Sequence, residues 1–376
     1  MQPQKQVIPM VVLESEISNY VYSKGRKYSY FGGNNYLGLA NHPAIKAAVI
    51  QSVVKYGVNF SASRRTTGTA TVHLELEKQL SVFKGKQDTV VFASGYQGNS
   101  ILLEILKDRF SMILADQLAH ASITAAVPRD VNILFYNHCD ADHLDYLITH
   151  NRISAPLIIT DGVFALTGEI APLDKIFPVV QKHKGFLVID DAHATGVLGK
   201  TGKGTPEYFN LPEDENIYQT ETMSKALGSY GGFISGSRDL TDRIREKSTT
   251  YQASTALPPP VVAAGIASLK IIHENPGLRI HLLEQAGRLR EEIVMLGFGT
   301  TGNGTPVIPL IMSSPERAKK LSLFLEDNRI IVPHLNYPSN REMNILRIAV
   351  TANHSDVQIN KLLINLKKWI KKYGKQ

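Results

Sequence analysis

From residue 88 onward the chain repeats one pattern, a short β-rich run followed by a turn and a helical stretch. The runs are TVVFAS, SMILAD, NILFYN, PLIITDG, FLVIDDA and NIYQTET. Runs spaced in this way predict an α/β fold, with a mostly parallel sheet covered by helices. Three of them end in an acid: Asp116, Asp161 and Asp190. Ligands bind open α/β sheets at the carboxyl ends of the strands. An acid there is otherwise an ordinary helix cap. That reading suits Asp116 well. It suits Asp190 poorly, because Asp191 and His193 follow it in FLVIDDAHATG.

One lysine stands out against this frame. Lys225 lies in TETMSKALGSYGGFISG, past the end of a strand-like run and before a glycine-rich one. A lysine beside a carboxylate and an imidazole points to Schiff-base chemistry. There a carbonyl cofactor needs an amine anchor and a partner for its ring nitrogen. The turn in FASGYQGNSILLEILKD is the best phosphate cradle: a strand ends near Ser94, Gly95 permits a tight turn, and a helix opens near Gln97. Free N–H groups at a helix N-terminus bind anions. A plain strand–turn–helix junction reads the same way. His120, in ADQLAHASITAA, is either a satisfied structural histidine or a flat ring stacked on a cofactor. The loop FSASRRTTGT is either a ligand contact or a solvated loop with two exposed arginines.

The rest of the chain sets the boundaries. YVYSKGRKYSYF reads as a small hairpin within an arm over residues 1–45. PAIKAAVIQSVVKYG has helical spacing and stops at Gly57; a second helix carries Val72, Leu76 and Leu80 on one face. The large ligand-binding domain is expected over 46–265. RDLTDRIREKSTTYQ reads as one helix, and VVAAGIASLKIIHE as a long helix able to link two domains. A smaller α+β domain is expected over 266–376, with VIPLIM, IIVPHL and ILRIAVTA as strands and a basic amphipathic helix at its end. The lysines of that helix read as a solvated face rather than a membrane contact.

Composition excludes several classes. Of 376 residues, 43% are hydrophobic and 20% charged, which is ordinary for a soluble globular protein. The formal charge of +7 favours anionic ligands such as phosphates or a CoA-type thioester. The basic residues are scattered and carry no nucleic-acid recognition motif. The one cysteine, Cys139, allows no intrachain disulfide and suits a reducing compartment. No apolar run approaches the length of a membrane span, and MQPQKQVIPMVVLES has no leader pattern, so a cytoplasmic location is expected. A dinucleotide-binding dehydrogenase shares the strand pattern, but no GxGxxG follows the first strand.

Eight collinear segments, from about Tyr30 to the end, now carry a family resemblance: NNYLGLANHP, ASGYQGN, ADQLAHAS, TDGVFALTGEIAPL, VIDDAHATGVLGKTGKGT, TETMSKALG, STALPP and LRIAVTANH. Through them the chain resembles the α-oxoamine synthases, fold-type I enzymes of the aspartate aminotransferase-like class that use pyridoxal 5'-phosphate. The resemblance implies an amino acid and an acyl-CoA as substrates, with CoA and carbon dioxide released. L-alanine with a pimeloyl thioester is the first expectation. Glycine with acetyl-CoA, serine with palmitoyl-CoA, and plain transamination are the alternatives. An idle protein of the same fold, used only for binding, is a further alternative, and the retained ionisable set argues against it.

The resemblance also implies roles. Lys225 anchors the cofactor and later serves as the base. Asp190 pairs with the ring nitrogen, His193 with the phenolic oxygen, and His120 stacks on the ring. Gly95, Tyr96 and Thr222 hold the phosphate. Ser254 and Thr255 reach the phosphate of a second subunit, because the family builds shared sites in a homodimer. Arg347 clamps the substrate carboxylate, and Asn34 and Ser63 line the pocket. No metal is implied. Three departures from the family's pattern stand out: a short arm without the usual arginine-rich helix and the pair Arg64 and Arg65, which bear on the acyl donor, and Ala165 where a serine that orients the cofactor's phenolic oxygen is usual, which leaves that task to His193.

Overall fold

The computed structural model describes residues 11–334 and 344–374. It opens with a hairpin, β1 (Tyr20–Ser23) and β2 (Arg26–Tyr30), then helices α1 (Pro43–Tyr56) and α2 (Thr71–Lys84). Next come β3 (Asp88–Phe92), α3 (Tyr96–Leu106), β4 (Ile113–Asp116), α4 (Ala121–Ala126), β5 (Ile133–Tyr136) and α5 (Ala141–His150). The alternation continues through β6 (Leu157–Asp161), α6 (Leu173–Lys182), β7 (Phe186–Asp190), α7 (Thr205–Tyr208), β8 (Ile217–Thr222) and β9 (Gly232–Gly236). Helices α8 (Arg238–Lys247), α9 (Thr249–Gln252), α10 (Pro259–Glu274) and α11 (Gly277–Met295) follow. The chain closes with β10 (Val307–Ile311), α12 (Pro315–Asp327), β11 (Ile330–Ile331), β12 (Ile345–Ala349) and α13 (Asp356–Tyr373). The first ten residues of the expected arm lie outside the described residues.

The main sheet has seven strands in the order β3-β9-β8-β7-β6-β4-β5. Strands β8, β7, β6, β4 and β5 pair parallel, and β9 runs antiparallel to both of its neighbours. Each central strand is buried on both faces. In β6, Leu157 and Ile159 join one apolar cluster and Ile158 joins the other. That is why these runs read as nearly continuous apolar sequence rather than as an alternation. Asp116, Asp161, Asp190 and Thr222 therefore close four strands at one edge of the sheet.

The structure departs from the sequence reading at two places. The stretch RDLTDRIREKSTTYQ forms two helices, not one. Ser248 has extended backbone, its Oγ caps α9 at the Tyr251 N–H, and the same hydroxyl donates to Glu104. A side chain that offers the backbone an alternative partner breaks the helix there. Strand β11 leaves the C-terminal sheet, which consists of β10 and β12, and pairs with β2 of the hairpin instead. The helical ends follow their sequence signals. Gly57 and Gly85 close α1 and α2, and Ser355 with Gln358 forms a capping box on α13. No helix among the described residues is long and apolar enough to cross a membrane.

Candidate active site

The site is built from the four strand ends and the turn after β3. Gly95 stands where that turn enters α3, and the Ser94 hydroxyl accepts the Tyr96 N–H at 3.3 Å. A Cβ at Gly95 would lie 2.9 Å from Thr222 Cβ, so only glycine lets the turn lie this close on the end of β8. The result is a helix N-terminus beside the Thr222 hydroxyl, which suits an anion. Tyr96 is exposed at the same turn, with its ring edge-on to His120 at 6.5 Å between centroids.

Asp190 ends β7 and is 8% exposed. Its Oδ2 accepts from Asn99 Nδ2 at 2.9 Å and its Oδ1 from the Ala192 N–H at 3.2 Å. Lys225 follows the end of β8 and lies close enough to Asp190 and Asp161 to feel both charges. Burial lowers its ammonium pKa to about 8, against the opposing pull of Asp190 and Asp161, and Arg347 lowers it further. An amine brought this near neutrality is suited to taking protons. Asp161 is buried at the end of β6, and burial and the nearby Asp190 push its carboxyl well above the usual range. Its Oδ2 accepts the His120 N–H at 2.8 Å.

His120 has the structural role that the sequence offered, and it also faces the ionisable cluster. Its Nδ1 accepts from the Ser122 N–H and caps α4, while the ring feels Asp190 and Lys225. Burial, and then the Lys225 charge, lower its pKa, with Asp190 opposing. His193 is buried, and burial followed by Lys225, Arg347 and His120 holds it well below the usual imidazole value. Its Nδ1 lies 2.7 Å from the Tyr36 hydroxyl. Arg347, on β12, donates from Nη2 to Asn34 Oδ1 at 2.8 Å and to Tyr36 at 3.0 Å, from Nη1 to the Gly33 carbonyl at 3.2 Å, and from Nε to the Ala165 carbonyl.

A family model for aminotransferases of class I and II matches residues 27–366. A protein of Acetivibrio thermocellus provisionally named 8-amino-7-oxononanoate synthase is 37% identical over 94% of this chain and 92% of its own length. The 8-amino-7-oxononanoate synthase of Thermoanaerobacter pseudethanolicus is 34% identical over 98% of this chain and 93% of its own. The chain belongs to the α-oxoamine synthases, within the class I and II aminotransferases. Among solved structures, a serine palmitoyltransferase from S. paucimobilis with a bound PLP–myriocin aldimine superposes with a TM-score of 0.91 at 26% identity, covering 97% of this chain and 93% of that one.

Not every residue expected for an α-oxoamine synthase site joins the Lys225 cluster within this chain. Ser63 forms an isolated antiparallel bridge with Thr255, and the Ala256 N–H donates to the Ala62 carbonyl at 2.9 Å. Loop 61–69 and strap 254–256 are thus one joined unit at the protein surface, with Thr255 exposed. Ser254 lies 3.5 Å from Gln97 Nε2. The expectation of two solvated arginines in the loop fails for Arg64. Its guanidinium pairs with buried Glu77 at 2.9 Å, and the two side chains are 7% and 5% exposed. Glu77 also accepts the Val91 N–H, so Arg64 anchors the loop to β3. Arg65 is exposed.

The capping role offered for Asp116 also differs. It holds the turn after β4 through the Leu118 N–H, accepts the Cys139 N–H and contacts His138 at 2.9 Å. His138, which also meets Glu169 at 3.0 Å, is raised to about 12 because these partners outweigh its burial. Sequence reasoning missed Tyr36, Asn99 and Asp161 as site residues. The first two lie inside the matched segments NNYLGLANHP and ASGYQGN, and the third ends a strand whose acid was noted only as a possible cap.

Proposed function

We propose that this α-oxoamine synthase condenses L-alanine with a pimeloyl thioester, releasing carbon dioxide and the thiol carrier, to give 8-amino-7-oxononanoate for biotin synthesis. The observation that carries this choice of substrates is the 37% identity over nearly the whole chain to a relative of that name. The enzyme is a pyridoxal 5'-phosphate-dependent acyltransferase. The donor set fits that cofactor. A buried carboxylate, two imidazoles whose pKa values are lowered, a lysine with a pKa of about 8 and a helix N-terminus opened by Gly95 suit, in turn, a ring nitrogen, a ring face with its phenolic oxygen, a carbonyl and a phosphate. When bound, the cofactor supplies an electron sink for charge developing at the substrate α-carbon.

In this reading Lys225 would hold the cofactor and then move the α-proton, as its low pKa permits. Asp190 would keep the ring nitrogen protonated, His193 would face the phenolic oxygen, and His120 would cover the ring. The N–H groups at Gly95 and Tyr96, with Thr222, would hold the phosphate. Arg347 would take the substrate carboxylate, with Asn34 beside it, in a water-poor cleft where charge pairing is strong. The joined loop and strap would carry Ser63, Ser254 and Thr255 to the site of a second subunit, in a cytoplasmic homodimer. The exposure of Thr255 and the rigidity given by the Arg64–Glu77 pair support that reading. Residues 1–45, 46–265 and 266–376 would form arm, large domain and small domain, and the β2–β11 pairing supports an arm docked on the small domain.

The likeness to serine palmitoyltransferase in shape favours a second reading, serine with a long acyl chain. Free-thiol release separates the two. The purified enzyme is offered alanine, glycine or serine against acetyl-, pimeloyl- or palmitoyl-CoA. The expected result is rapid release with alanine and pimeloyl-CoA alone. Release with serine and palmitoyl-CoA moves the assignment to the second reading. A keto acid without thiol release overturns both.

A further inference from the structure

Tyr36 sits at the third position of NNYLGLANHP and is completely buried. Its hydroxyl has three polar neighbours: His193 Nδ1 at 2.7 Å, Arg347 Nη2 at 3.0 Å and Asn34 Oδ1 at 3.2 Å. Arg347 can only donate, so the phenolic oxygen accepts from it. The same guanidinium nitrogen also donates to Asn34 Oδ1 at 2.8 Å, which keeps a second lone pair 3.2 Å from the phenol. Of the two acceptors within reach of the phenolic proton, His193 Nδ1 is the nearer and the one not already engaged by Arg347, so the phenol donates to it. The positive charge of Arg347 polarises the phenol and strengthens that donation.

We infer that Tyr36 is a positioning residue: it fixes His193 as the tautomer with its proton on Nε2 and couples that ring to Arg347. A neutral imidazole that accepts at one nitrogen carries its proton on the other. The inference rests on the proposed function, in which His193 faces the phenolic oxygen of the cofactor. An oxygen bearing negative charge needs a donor there, and the Nε2–H supplies one. Ala165 has no hydroxyl to share the task, and its carbonyl is spent on Arg347. A carboxylate arriving at Arg347 alters what Arg347 gives to Tyr36. His193 therefore registers whether the amino acid is present.

The test uses the holoenzyme labelled with 15N-histidine, with the His193 signals assigned by difference from His193→Gln. The expected result is an unprotonated Nδ1 and a protonated Nε2 near neutral pH. A proton on Nδ1 overturns the inference. In Tyr36→Phe, the tautomer preference weakens. The pH midpoint of the bound cofactor's visible absorbance rises by about half a unit or more, and kcat falls about tenfold. An unchanged tautomer and midpoint in that variant also overturn it. Should Tyr36→Phe fail to fold, the wild-type tautomer alone decides. The tautomer is read without any acyl donor, so an error in the proposed substrates leaves this outcome intact.

Discussion

Strand β7 ends in two successive acids that serve opposite sides of the sheet edge. On the cleft side, Asp190 acts through space on Lys225 and His120. Behind it, Asp191 is closed in by fixed donors: the Thr205 hydroxyl at 2.6 Å, the Thr205 N–H at 2.9 Å and Gln219 Nε2 at 2.8 Å. Gly204, at φ +106°, is required there, since a Cβ would lie 1.8 Å from Asp191 Oδ2. Lys84 and Glu221 make direct contact in the same region, both nearly inaccessible. Asp190 and Asp191 are both buried, while Lys225 and His120 on the cleft side are only partly so. What also differs is whether each charge is finished by a neighbour. Behind the strand every oxygen of Asp191 is met by a fixed donor, though Glu221 keeps one buried oxygen without a partner. On the cleft side Asp190 also has its donors, but Lys225 meets the acids only through space, which costs stability and leaves the amine available to a ligand.

The sharpest way to break this contrast is to remove the least finished charge. Lys225→Met is expected to lower turnover by more than about 10^4-fold, since anchor and base go together. It should also make the cofactor-free protein more stable at pH 7, by about 1–3 kcal/mol, because a desolvated ammonium is deleted. The sign follows from the pKa, which is about 8 in the fold and 10.5 when unperturbed. Below pH 8 both states are protonated and the fold carries the whole desolvation penalty. Between about 8 and 10.5 the unfolded chain binds more protons, so wild-type stability rises with pH and the advantage of the variant shrinks. Urea unfolding of both cofactor-free proteins at pH 7 and 9.5 measures this. A variant less stable than wild type at pH 7 would mean that Lys225 is as fully partnered as the charges behind the strand.

Asp190→Asn comes next in size. The amide keeps an oxygen for the Ala192 N–H but loses the charge that faces the ring nitrogen in the proposed function. Turnover is expected to fall about 10^2- to 10^4-fold, with the fold retained. Exchange of the substrate α-proton in deuterated buffer reads the loss directly. Exchange at the wild-type rate would strip Asp190 of that role.

How far the sequence carried this contrast depended on the separation of the partners. The strand runs, the anchor Lys225 and the pair Asp190–His193 were legible because each is a local pattern on one element. Most helix ends were legible for the same reason. The sequence set Asp191 beside Asp190 but showed neither its separate face nor the donors behind it. Asn99 lies 91 positions from Asp190, and Tyr36 lies 157 from His193. No spacing rule joins residues so far apart. The same limit hid the docking of β11, where two residues, Ile330 and Ile331, choose β2 over the neighbouring C-terminal strands. Arg64 was misread because its loop is polar and looks solvated. Only the position of Glu77, on α2 and facing inward, turns it into a buried pair.

The smallest expected effect tests the finished side of the strand. In Asp191→Asn the two oxygens that accept from Thr205 and Gln219 become one oxygen and one amide. With the amide nitrogen on the Oδ1 side, the Thr205 hydroxyl must turn from donating to accepting, while the oxygen keeps the Thr205 N–H and Gln219. Burial already pushes the Asp191 carboxyl up, with Lys84 and the Thr205 and Gln219 bonds holding it down, so the charge itself contributes little that an amide would not. The expected cost is about 1 kcal/mol of stability, from charge-assisted bonds replaced by neutral ones. The visible absorbance of the bound cofactor and its pH midpoint should not move. A shifted midpoint with unchanged stability would mean that Asp191 reaches the ring as Asp190 is proposed to do, and that the sheet edge does not divide its two acids between holding the fold and holding the ligand.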